Sequence, residues 1–233
     1  MRNRRWTERA LSLFEILVVV AIIALLVALL LPVVHQARKR SHTSSCISNL
    51  RQLVVAATMY RNDYGEYPLH LQVMTSYVKD PRIWICPSEP MPQDPQKVGE
   101  AVPPPHMPQR IITPYYFYTD ISANLSTRVR RRLHHEPRLW VVYAARRLRE
   151  ADPNHGLFAC VLHGEFKPLI PRRPYITHLE YQGLTLRALQ DGSVQRVQTQ
   201  RRLYSDGSTS VRDLWPMFTD APCPPEFCHE EDY

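Results

Sequence analysis

The sequence predicts an α+β protein: a long N-terminal transmembrane α-helix continuing into a globular head with an antiparallel β-sheet. Three observations predict it. Residues Ile16–Val34 form one uncharged run of Leu, Val, Ile and Ala, close to the roughly 20 apolar residues that cross a bilayer as helix. After it, Ile47, Leu50, Leu53, Val54, Ala57 and Tyr60 recur every three or four residues, which makes one apolar stripe on a helix. Further on, short β-branched and aromatic runs alternate with turn signals. Among these, Asp191-Gly192 between two alternating segments is the strongest short-range hairpin signal.

The apolar run exceeds the roughly 7–15 residues of a signal-peptide core, so it reads as a single membrane crossing. Arg2, Arg4, Arg5 and Arg9 stand before it against Glu8, and the positive-inside rule places that end in the cytoplasm. Arg38-Lys39-Arg40 on the far flank is also basic, so the charge asymmetry is modest. Glu15 lies at the mouth of the run. An acid inside a membrane segment costs on the order of 2.5 kcal/mol at the centre and less near an end, and usually has a partner. Either Glu15 is solvated at the headgroup boundary or another subunit supplies its partner. From Leu13 to Tyr60, at ~1.5 Å per residue, the helix would reach roughly 70 Å. Asn62-Asp63 and Gly65 are stop signals.

Ala10-Leu11-Ser12-Leu13-Phe14-Glu15 resembles the processing site of type IV pilins and type II secretion pseudopilins: a short basic leader, a small residue, a hydrophobic residue, and Glu fifth after the cut. The resemblance implies cleavage between Ala10 and Leu11 by a prepilin peptidase, then methylation of the Leu11 amine. Ala10 replaces the usual Gly, and Leu11 the usual Phe. Pro32 falls where this family commonly bends its helix. The resemblance also answers the question of Glu15: in such filaments it would neutralise the Leu11 ammonium of a neighbour. The segment 44-SSCISNLRQLVVAATMYRNDYGEYP-68 is similar to one branch of the family, through Cys46, Asn49–Leu53, Tyr60 and Asn62–Gly65. Cys86-Pro87-Ser88 looks like that branch's turn, and Leu189–Val194 like its Asp-Gly hairpin. Tyr181 stands where the branch often carries a His, so any role of that His is lost.

Four regions follow: a basic leader over 1–10, a transmembrane and assembly helix over 11–34, its amphipathic continuation over 35–65, and a head over 66–233. With 21 Pro and 7 Gly, the head is expected to be rich in rigid irregular structure. Residues 87–108 read as one proline-rich loop, most simply a linker. Strands are expected at Ile111–Thr113, Tyr115–Tyr118, Leu139–Tyr143, Leu157–Leu162, Leu184–Leu189 and Val194–Val197, with a short helix over Leu125–Leu133. The sheet would lie against the C-terminal half of the long helix and share a core with it.

Five cysteines are an odd number. Cys223 and Cys228 flank Pro-Pro-Glu-Phe and are candidates for a disulfide stapling the tail. A Cys46–Cys86 bridge is a second pairing. Cys160, in an apolar strand, reads as a buried small hydrophobe. Zinc at Cys223, Cys228 and His229 lacks a second ligand pair at metal-site spacing, and no metal site is assigned. Some secretion pseudopilins bind calcium through acids near the C-terminus. Here Asp206, Asp213 and Asp220 offer oxygen ligands, at a spacing unlike a recognised calcium loop, so no cofactor is expected beyond that candidate.

The net charge is +7, carried largely by Arg clusters at 128–132, 146–149, 172–173 and 201–202. Aromatic interleaving of the single-strand-binding kind is weak, so these read as solvated surface, and nucleic acid is not expected as a partner. There is no Gly-rich phosphate loop, Gly-x-Ser-x-Gly elbow or His-Glu-x-x-His; His134-His135, His155 and His163 read as surface histidines, and no enzyme is expected. The resemblance implies a structural subunit of a secretion pseudopilus or type IV pilus-like filament. Its partners would be copies of itself or other pilin-like subunits, the prepilin peptidase and assembly platform proteins. It would sit in the inner membrane with its N-terminus cytoplasmic and its head periplasmic or on an extracellular filament. The alternative is an unprocessed single-pass anchor presenting an envelope binding domain.

Overall fold

A computed structural model describes residues 13–88, 115–119, 131–133, 136–169, 178–203, 214–225 and 228. The chain divides into two compact units, Met1–Ser41 and His42–Tyr233. Helix α1, Leu13–Tyr64, contributes to both.

In the first unit, every described residue of α1 is exposed. Leu25, Leu29, Leu30 and Leu31 project from different sides of the helix, each at least half exposed. A helix apolar all round is suited to lipid or to other helices rather than to water. It is long and apolar enough to cross a membrane. Glu15 is in its first turn, where an acid complements the positive end of the helix dipole. Pro32 sits inside the helix, which continues past it.

In the second unit, α1 buries Cys46, Leu50, Leu53, Val54, Ala56 and Ala57, with Ile47 and Tyr60 half-buried. This is the predicted stripe. The sheet is an antiparallel meander, ordered β1-β2-β3-β4: Tyr115–Phe117, Gly156–Leu169, His178–Leu189 and Val194–Leu203. β3 and β4 are joined by the Asp-Gly turn. Gly192 has φ +83°, a left-handed conformation natural to glycine, and the Asp191 carboxylate accepts from the Ser193 backbone N–H at 2.8 Å.

The sheet is covered on both faces. Tyr115 opposes Cys160 and Phe117 opposes Phe158 on the face towards α1, where Asn49 of α1 reaches the Tyr115 hydroxyl. On the other face, Arg187 opposes Ala159 and meets the C-terminal segment, whose Trp215, Met217 and Phe218 are buried. The Gly156 N–H donates to the Phe218 carbonyl at 2.6 Å, fastening that segment to β2.

One predicted strand is a helix. Leu139–Tyr143 lies inside α2, Pro137–Ala151. Pro137 suits a first helical turn. The buried positions Ala144, Ala145 and Leu148 recur at helical spacing, while Leu139 and Val142 are exposed. Arg146 and Arg147 both pair with Glu150, at i,i+4 and i,i+3. The β-branched pair Val141-Val142 suggested a strand, but the residues after it set a 3.6-residue period. The predicted strand at Ile111–Thr113 and most of the predicted helix over Leu125–Leu133 lie outside the described residues.

Candidate metal centre

Four side chains scattered between residues 46 and 163 converge in the second unit. Cys46 comes from α1, Cys86 from the chain after the 3-10 turn Pro81–Trp84, and Cys160 and His163 from β2. Their ligand atoms all lie within 4.8 Å of one another, with the three cysteines buried and His163 half-buried. The Nε2 atom of His163 is 3.6 Å from the Cys86 sulfur. The three cysteines are free thiols.

Three segments of the chain position the four ligands. Cys46 is the first buried residue of α1. Cys86 is brought to it by Asn49, one turn further along α1. The Asn49 amide donates to the Ile85 carbonyl at 2.9 Å, and the Tyr115 hydroxyl donates to the same carbonyl at 3.2 Å. The 3-10 turn before it is capped by Asp80, whose carboxylate accepts from the Arg82 backbone N–H.

Cys160 and His163 share a face because β2 is irregular between them. Neighbouring strand residues point to opposite faces, so residues three apart on a regular strand would face apart. Here Cys160 pairs with Leu186 and His163 with Leu184, with a register shift between. Three steps on β2 match two on β3, so one extra residue is absorbed, as in a β-bulge. The imidazole is then oriented from behind: its Nδ1 lies 3.3 Å from the Thr43 hydroxyl and 3.3 Å from the Ser88 hydroxyl.

The thiols differ sharply in acidity. Cys86 is pulled well below the ordinary thiol range by hydrogen bonds from Cys160 and Cys46, helped by His163 and by the Ser88 backbone N–H. Cys160 is pushed well up by burial and by its bonds to the other two thiols. At Cys46 the bond from Cys160 lowers the pKa, but the bond to Cys86 and burial outweigh it and the net shift is upward. Together the cluster holds one thiolate readily and resists a second and third negative charge unless a cation joins it.

The sequence assigned no metal site and did not anticipate this cluster, whose residue types could hold a metal ion. Cys160 is not only a small hydrophobe, and His163 is not a surface histidine. Cys160 and His163 are separated by two residues, as in a Cys-x-x-Cys pair, but on a strand that interval becomes productive only through the register shift. The available signal was that Cys46 and Cys86 both lie in the segments carrying the family resemblance.

The other predicted site residues fall elsewhere. Ala10 and Leu11 lie outside the described residues, as do Asp206, Asp213 and His229. Asp220 accepts from the Arg187 guanidinium at 2.6 Å, an ion pair between an exposed carboxylate and a side chain only 3% exposed. Cys223 and Cys228 are joined as a disulfide across five residues of sequence, which removes both as thiolate ligands for zinc. His155 is buried, with Nδ1 2.9 Å from the Gly156 carbonyl.

Comparisons with protein-family models, curated proteins and solved structures return no match.

Proposed function

We propose that the chain is a prepilin-like structural subunit of a type II secretion pseudopilus or type IV pilus-like filament, processed between Ala10 and Leu11. The observation that carries this reading is the two-part use of α1. One continuous helix is apolar and exposed on all sides in the first unit, and buries a narrow stripe in the core of the second. A plain membrane anchor needs only about 20 apolar residues and no acid. Here the apolar part begins with Glu15 in its first turn, a few residues after a small residue and a basic leader.

In this reading, Leu11–Val34 pack against neighbouring subunits, and the Leu11 ammonium of one subunit meets Glu15 of the next. The pair acts as a register device, because either charge alone in an apolar core is costly. The N-terminus is cytoplasmic before processing, and the head faces outward. The Cys223–Cys228 disulfide supports a head on the oxidising side of the membrane.

Co-expression with a prepilin peptidase, followed by mass spectrometry of the membrane-bound chain, tests the reading. A mature N-terminus at methylated Leu11 is expected. An intact Met1 would instead leave a single-pass anchor. Among processed chains, Glu15→Ala should abolish co-assembly, and assembly at the wild-type level would remove the charge pair.

A further inference from the structure

The geometry points to a structural zinc site formed by Cys46, Cys86, Cys160 and His163, a Zn²⁺ ion binding α1 to the sheet. This goes beyond the filament reading and stands whether or not the leader is cleaved.

Three thiolates and one imidazole are a ligand set of closed structural zinc sites, which are tetrahedral. With Zn–S near 2.3 Å and Zn–N near 2.0–2.1 Å, a tetrahedron places sulfur and nitrogen about 3.6 Å apart. Cys86 Sγ and His163 Nε2 stand 3.6 Å apart. The other ligand atoms lie within 4.8 Å of these and of each other, so sub-ångström side-chain adjustment closes the shell.

The surroundings fit a metal better than a disulfide. A Cys46–Cys86 bond would leave Cys160 and His163 with nothing to explain their convergence. With zinc, every member has a role. Metal-bound imidazoles donate their second N–H to an outer partner, which fixes tautomer and ring orientation. His163 presents Nε2 to the cluster and Nδ1 to two hydroxyls, Thr43 and Ser88. The Ser88 backbone N–H supports the Cys86 sulfur. Hard-oxygen metals are disfavoured by the three sulfurs. Binding is a substitution without redox change. Zn²⁺ takes one lone pair from each sulfur and from Nε2, and protons still on the thiols pass to solvent, leaving a centre of net charge −1.

The test uses the full-length chain, extracted from membranes in detergent under anaerobic conditions. Zinc is measured by elemental mass spectrometry, and thiols are counted after unfolding with chelator. One zinc per chain and three reactive thiols are expected. Replacing zinc by Co²⁺ should give the intense thiolate-to-cobalt absorption of a tetrahedral sulfur-rich site. His163→Ala should weaken zinc retention at least tenfold, and His163→Cys should restore it. The double change Thr43→Val with Ser88→Ala should loosen it about 10–100-fold, as loss of an outer partner does. Should His163→Ala fail to fold, wild-type stoichiometry and the cobalt spectrum still decide. A chain that takes up no Zn²⁺ when supplied with it overturns the proposal, as does one in which two of these three cysteines are joined.

Discussion

Cys160 and His163 are three residues apart on β2, yet their partners on β3, Leu186 and Leu184, are two apart. That mismatch alone turns the thiol and the imidazole to the same face. Inserting one alanine after Thr185 of β3 would match three steps to three and restore a regular ladder, on which Cys160 and His163, three apart, face opposite ways. The expected product keeps its sheet content by circular dichroism but loses the zinc retained by the wild-type chain. An insertion variant with unchanged zinc content would show that the register shift does not set the site.

Gly156 is a second point of close approach. A Cβ there would lie 2.7 Å from Cγ of Arg187 and 3.3 Å from the Phe218 carbonyl oxygen. Arg187 cannot swing aside cheaply, since Gln195 and Asp220 hold its guanidinium. Gly156→Ala should therefore destabilise the head by about 1–3 kcal/mol, the usual cost of overpacking. Chemical denaturation in detergent measures it, and an unchanged midpoint would mean the C-terminal segment yields freely.

The stripe on α1 predicts a contrast between neighbours. Leu50 is fully buried, whereas Val55 is 58% exposed. Leu50→Ala should cost about 2–5 kcal/mol through lost burial and a residual cavity, and Val55→Ala within about 0.5 kcal/mol. Equal effects on thermal stability would mean that α1 does not share the core of the head.

His155 should make stability depend on pH. It is 2% exposed, and burial holds its pKa below the ordinary imidazole value despite the bond to the Gly156 carbonyl. The unfolded chain therefore takes up this proton at a higher pH, near 6.5. The contribution is complete above that value and is lost as pH falls towards the depressed folded pKa. Thermal stability should drop between about pH 7 and pH 5, and His155→Gln should flatten that part of the profile. Since His155 stands apart from the zinc ligands, the difference between the two profiles isolates it. A parallel decline in both chains would rule out His155 as the cause.

Much of the architecture was legible because it is local. The charge-free run, the three-and-four spacing from Ile47 to Tyr60, and Asp191-Gly192 each act within a few residues, and α1 and the β3–β4 hairpin follow from them. Leu139–Tyr143 misled because a β-branched pair was weighed above Ala144, Ala145 and Leu148, whose burial sets the period of α2. The metal centre was illegible for a different reason. Cys86 and His163 are 77 residues apart, and no local rule states which strand will bring them together or that β2 will absorb an extra residue. The Arg187–Asp220 ion pair was illegible for the same reason, since 33 residues separate its partners.

The junction between α1 and the sheet closes a wide loop: 120 residues separate Thr43 from His163. Closure entropy grows only with the logarithm of length, about 0.6 kcal/mol for each doubling. Chain added between Ser88 and Tyr115 therefore has little leverage on how firmly the ends are held. That interval is where a head of this design can grow or shrink over generations, acquiring new surface while the grip on its helix stays the same.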